Sequence, residues 1–162
     1  MRYTKISKAV SILVAMTFLV AGAAAQNTGK RLKCQSAGGM LMTNLGAIDA
    51  STTMGPVTGD LKGAVSGTIV SSEVVGNNLI LHVQHHWVTE SGDLLFFDQA
   101  TATSTPVAPG LYAIITYPVH LAGGTGKFVH ATGDFNNIGE VDLSSGQIVL
   151  RYSGQLCFPK GE

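Results

Sequence analysis

The stretch Asn78-Leu79-Ile80-Leu81-His82-Val83-Gln84-His85-His86-Trp87-Val88-Thr89-Glu90 decides how this chain folds. Asn77-Asn78 opens it and Ser91-Gly92 follows it, both pairs that favour turns between antiparallel neighbours. Along an extended chain, successive side chains point to opposite faces. Leu79, Leu81, Val83, His85 and Trp87 therefore share one face, and Ile80, His82, Gln84, His86 and Val88 the other. A sheet with one wet side alternates apolar with polar, whereas this strand carries apolar residues on both sides. Leu94-Leu95-Phe96-Phe97 does the same, giving two large residues to each face. A closed barrel with a partly covered outside accommodates both faces.

Working outward, the segments Leu61–Val75, Asp93–Ala102, Pro106–Tyr117, Lys127–Phe135 and Gly146–Phe158 repeat the pattern. Each is rich in Val, Ile, Thr or aromatics, and turn residues such as Ser144-Ser145-Gly146 separate them. Gly139–Leu143 reads as a shorter edge piece or hairpin partner. No helical period is sustained after residue 25, so the fold class is all-β. Residues 26–59 are poor in strand signals, with Gly38-Gly39 and Ser51-Thr52-Thr53-Met54-Gly55-Pro56 reading as loops. They are expected to form an N-terminal extension to a barrel domain spanning residues 60–160.

The first 25 residues have a different character. Arg2, Lys5 and Lys8 precede an apolar run from Ala9 to Val20, which ends in Ala21-Gly22-Ala23-Ala24-Ala25. This is the pattern of a secretory signal peptide cleaved after Ala25, and a membrane anchor is the competing reading. No second stretch is long and apolar enough to cross a bilayer. Cleavage removes three cations and no acid, leaving seven Lys and Arg against ten Asp and Glu, a net charge of −3. Nucleic acid asks for a basic face and is therefore not an expected partner. The chain is expected to be secreted or periplasmic.

Cys34 and Cys157 are the only cysteines. In an exported chain such a pair reads first as a disulfide, with two free thiols as the alternative. A bond between them would bring the two ends of the domain side by side.

Gly123-Gly124-Thr125-Gly126-Lys127-Phe128 reads as a tight glycine turn launching a strand in which Phe128, His130, Thr132 and Asp134 share a face. With Ala131-Thr132-Gly133 and Leu150-Arg151-Tyr152-Ser153-Gly154-Gln155-Leu156-Cys157, it resembles the allene oxide cyclase barrel-like family. That superfamily includes the plant dirigent proteins, whose version reads G-G-T-G-x-F-R-x-A-R-G. The resemblance is strongest over residues 123–157. It implies an eight-stranded antiparallel β-barrel, a homotrimer, and an apolar cavity open at one end, with no metal or organic cofactor. Allene oxide cyclases fold an unstable fatty-acid epoxide into a cyclopentenone, and dirigent proteins guide the coupling of phenoxy radicals. Val129 and Thr132 stand where the dirigent pattern has arginines, so radical guidance is not expected here. No cyclase active-site residue maps onto this chain.

The residues offer little other chemistry. His82 and His86 share a face but lie about 13 Å apart by the strand rise, too far for one ion, and His85 faces away. A metal site is not expected. There is no Gly-x-Ser-x-Gly elbow. Gly-Gly-Thr-Gly-Lys also fails as a phosphate loop, because Phe128 stands where Ser or Thr would hold magnesium. The turn glycines Gly123, Gly124 and Gly126 are thus structural. What remains are polar residues set among apolar ones: His85 beside Trp87, Asp98 on the face of Leu94 and Phe96, and Tyr152 on that of Leu150 and Leu156. His85, Trp87, Asp98 and Tyr152 are the candidate cavity residues. The expected function is a cofactor-free exported barrel that binds a small apolar molecule, lipid or phenolic. An allene oxide cyclase-like isomerase acting on an oxidised fatty acid is the alternative, and a structural surface protein with a filled barrel is the second.

Overall fold

The protein's structure, a computed structural model, describes residues 31–160. The expected signal peptide lies outside them. Ten strands follow in order: β1 (Leu32–Leu45), β2 (Thr52–Val57), β3 (Gly63–Val75), β4 (Asn78–Thr89), β5 (Leu94–Phe97), β6 (Ala100–Ala108), β7 (Leu111–Thr116), β8 (Pro118–Gly124), β9 (Thr132–Asp142) and β10 (Gln147–Pro159). Each strand from β1 to β4 pairs with the next, and β10 pairs with both β9 and β1. β5 and β6 take successive halves of one position beside β4. β7 and β8 share the next position, beside β9. All pairs are antiparallel, and the result is a closed eight-stranded barrel.

Three expectations need correction. Residues 32–57 are not an extension but the first two barrel strands. Their glycines serve contact rather than turning: Gly39 sits opposite Tyr152, and a Cβ there would come within 2.7 Å of the tyrosine ring and hydroxyl. The segment Pro106–Tyr117 is not one strand, because Pro109-Gly110 forms a hairpin between β6 and β7. The alternation expected from Lys127 onward begins only at Thr132. Gly123 and Gly124 end β8, one 3-10 turn covers Gly126–Phe128, and Phe128 packs into the core at 2% exposure.

The two ends of the barrel differ. At one lie the connections 58–62, 90–93 and 125–131, together with the first residues of β1 and the last of β10. Here Leu61, Phe128 and Leu156 are buried and fill the opening. Leu61 is pinned at both backbone groups: its N–H donates to Tyr152 Oη at 2.9 Å, and its carbonyl accepts from Trp87 Nε1 at 2.9 Å. Trp87 stacks edge-on to Tyr152 with centroids 5.7 Å apart, and Phe97 and Phe135 extend the aromatic layer. Cys34 and Cys157, directly opposite in the β1–β10 ladder, are joined by a disulfide near this end. The other end carries the turns 46–51, 76–77, 109–110 and 143–146. There the inner residues Ile69, Leu81, Tyr112 and Ile148 are only partly buried.

Candidate functional site

A void occupies the half of the barrel nearer the hairpin turns. Its volume is about 70 Å³. Trp87 and Phe97 form its floor, and Val83, Ile114, Val141 and Leu150 are among the apolar residues of its wall. Roughly twice that volume is needed to hold benzene in an engineered apolar cavity. The space therefore admits a slender group, with more of a ligand extending through the partly open end.

His85 reaches this void by the alternation of β4, whose inner face is Leu81, Val83, His85 and Trp87. The ring donates to or accepts from Tyr117: Nε2 and the phenol oxygen are 2.7 Å apart. Tyr117 stands at the joint between β7 and β8 and is held through its backbone. Its N–H donates to Asn136 Oδ1 at 3.1 Å, and its carbonyl accepts from Asn137 Nδ2 at 3.1 Å. Asn137 also lines the void, as do Thr43 and Thr53, so a few polar side chains stand on a wall that is mostly apolar.

Both members of the His85–Tyr117 pair are neutral. Desolvation by burial lowers the His85 imidazole to about 4 and raises the Tyr117 hydroxyl well above its ordinary value. His85 retains some accessible surface, but that surface borders the void, so burial governs its titration. His85 Nδ1 has no hydrogen-bond partner, the one such buried side-chain atom among the described residues. If Tyr117 donates to Nε2, the ring proton sits on Nδ1 and only that N–H goes unmet. The other tautomer strands both the Tyr117 O–H and Nδ1. Counting unmet groups thus assigns the proton to Nδ1.

Of the four residues picked from sequence, His85 and Trp87 line the void. Tyr152 does not: it is buried on the filled side, its hydroxyl donating to Thr58 O at 3.0 Å. Asp98 is exposed on the outer surface, in a groove with His120 and Asp134. Asp98 does share a face with Leu94 and Phe96, but it is the outer one, because Leu95 and Phe97 are the pair that turns inward. Sequence reasoning missed Tyr117 and Asn137. Their signals were faint, a Tyr117-Pro118 step and the Asn136-Asn137 pair inside a strand.

Gly123, Gly124 and Gly126 lie away from the void, at the filled end. His120 Nδ1 and Asp134 Oδ1 lie 2.7 Å apart on the outer face, and His82 Nδ1 bonds Thr101 Oγ1 at 3.1 Å. No helix among the described residues is long and apolar enough to cross a membrane. Compared with protein-family models and with curated proteins, the chain matches none.

Proposed function

We propose that this chain is an exported, cofactor-free barrel that takes a small apolar molecule into the cavity above Trp87 and Phe97. The observation that carries the reading is a void walled mostly by apolar side chains and supplied with a few polar groups, among them the hydrogen-bonded pair His85 and Tyr117. The likeness of residues 123–157 to the allene oxide cyclase family agrees with it, as do the signal-like first 25 residues and the Cys34–Cys157 bond.

A barrel filled only for stability has no use for His85. An apolar side chain there would avoid a buried nitrogen without a partner, which costs about 1–3 kcal/mol. The isomerase reading has its one foothold in the same pair, since imidazole and phenol are acid–base groups. Burial has made the imidazole a weak base and the phenol a weak acid, so binding is the better-supported role.

Native mass spectrometry of the protein purified without denaturation tests this. A co-purified lipid or aromatic compound, lost when Ala102 in the cavity wall is enlarged to Leu, is the expected result. An empty protein that also fails to take up small apolar probes would overturn it.

A further inference from the structure

We propose that the hairpin-turn end of the barrel docks on a zwitterionic lipid surface, from which the cavity draws in one acyl chain. The uptake of a chain rests on the reading of the void as a ligand site, whereas the docking rests on the rim alone.

Each of the four hairpins at this end presents an exposed aliphatic side chain. Ile48 stands in the β1–β2 turn at 62% exposure, and Val74 and Val75 end β3 at 73% and 56%. Val107 lies just before the β6–β7 turn and Leu143 opens the β9–β10 turn, both exposed. Single exposed apolar residues are ordinary on a protein surface, but hairpin tips are where polar residues are favoured. None of these five belongs to the core. Val74 is opposite Leu79, which shares the inner face of the lining residue Leu81, so Val74 carries that face past the opening. The turns here contain no Lys or Arg. The connections at the filled end are instead charged, with Asp60, Asp93, Lys127 and the ion pair of Lys62 with Glu90.

Two features choose the occupant of this rim. The first is the void it surrounds, about 70 Å³ and too small for an aromatic ring. A methylene chain is the slenderest apolar group, and the headgroup that carries it must stay at the mouth. A bilayer offers such chains just beneath its headgroups, the depth that apolar side chains of an interfacial protein reach. The second is charge. Asp49, Glu73 and Asp142 are the charged residues of these hairpin ends, with no Lys or Arg in the turns to offset them. A second copy seated rim to rim would bring two such sets of acids together and shut both cavities. An anionic leaflet would repel the same acids, so a surface without net charge is the one that fits.

Flotation of the exported, disulfide-bonded protein with phosphatidylcholine vesicles tests the docking. Trp87, the single tryptophan, forms the cavity floor and reports what enters. The protein should float with the vesicles, and phosphatidylcholine brominated near the chain end should quench Trp87. Combining Ile48→Ser, Val74→Ser, Val107→Ser and Leu143→Ser should lower the vesicle-bound fraction roughly tenfold or more. Leu32→Ser with Val129→Ser, at the filled end, should leave it unchanged. Mixing in phosphatidylserine should weaken binding at low salt. Trp87 emission without lipid shows that each variant is folded. Binding that survives the rim variant or requires phosphatidylserine overturns the docking, as does a rim-dependent dimer that sediments in place of vesicle binding. If docking fails while hexan-1-ol still shifts Trp87 emission, the cavity reading stands; if hexan-1-ol fails too, both fall. Flotation without quenching overturns the uptake of a chain and supports the docking.

Discussion

Leu61 and Tyr152, 91 residues apart, meet through one hydrogen bond from the Leu61 N–H to the tyrosine hydroxyl at 2.9 Å. The same hydroxyl donates to Thr58 O at 3.0 Å, so one phenol fixes the β2–β3 connection as a stopper in the filled end. Tyr152→Phe keeps the ring and removes both bonds, leaving a buried N–H unmet. We expect a loss of roughly 1–3 kcal/mol, read as a lower urea midpoint with an unchanged m-value. An unchanged midpoint would show that the connection is held without the hydroxyl.

His85 makes stability depend on pH. Its folded value of about 4 lies below the ordinary 6.5, so the unfolded chain binds the proton more readily. Stability is therefore full above about pH 6.5, falls as pH drops toward 4, and levels off below that. The integrated loss is on the order of 3 kcal/mol. His85→Leu should flatten this part of the profile, which thermal unfolding across the same pH interval will show. A slope that survives the substitution would assign it to other groups.

The Cys34–Cys157 bond closes a loop with a sequence separation of 123. On the chain-entropy model it contributes roughly 4–5 kcal/mol. Cys34→Ala/Cys157→Ala should therefore lower the denaturant midpoint substantially while leaving Trp87 fluorescence native in the folded protein. Loss of the native spectrum without denaturant would mean that the bond is required for folding.

Gly126 adopts φ +53°, a left-handed conformation, and a Cβ there would run into the Asp93 carboxylate. Gly126→Ala combines backbone strain with that clash and should destabilise by about 1–2 kcal/mol. Gly46, at φ +82° with nothing within 4 Å of where a Cβ would stand, is the control for strain alone. Equal losses at the two sites would remove the Asp93 contact from the account.

Filling the void is the converse test. Ala102 is 1% exposed and lines it. Ala102→Val should raise thermal stability by about 0.5–2 kcal/mol if the added methyls fit, and should weaken uptake of hexan-1-ol. Unaltered uptake with raised stability would place the binding site elsewhere.

What the sequence disclosed follows from where one rule governs. β4 was legible because a single period of two runs unbroken from Leu79 to Trp87, and it put His85 and Trp87 on the inner face. β1 was not, since Gln35-Ser36-Ala37-Gly38-Gly39 lacks branched residues and becomes a strand through its ladder with β10. Asp98 was misplaced because Leu94-Leu95-Phe96-Phe97 offers two large residues to each face, so alternation grouped Asp98 with Leu94 and Phe96 correctly without saying that this face is the outer one. Tyr117 escaped notice because its partner, His85, lies 32 residues away and no local pattern announces the contact.

The pairing of β1 with β10 also sets an order of events. Leu32 finds its partner at Pro159, so the ring cannot close until nearly the last residue of the domain is available. Until then β1 and β9 each keep an open ladder of N–H and C=O groups able to pair with another chain. Seam closure is the most non-local step of folding, and such topologies fold in milliseconds to seconds rather than microseconds. A chain emerging residue by residue thus keeps its barrel unclosed through almost its whole synthesis.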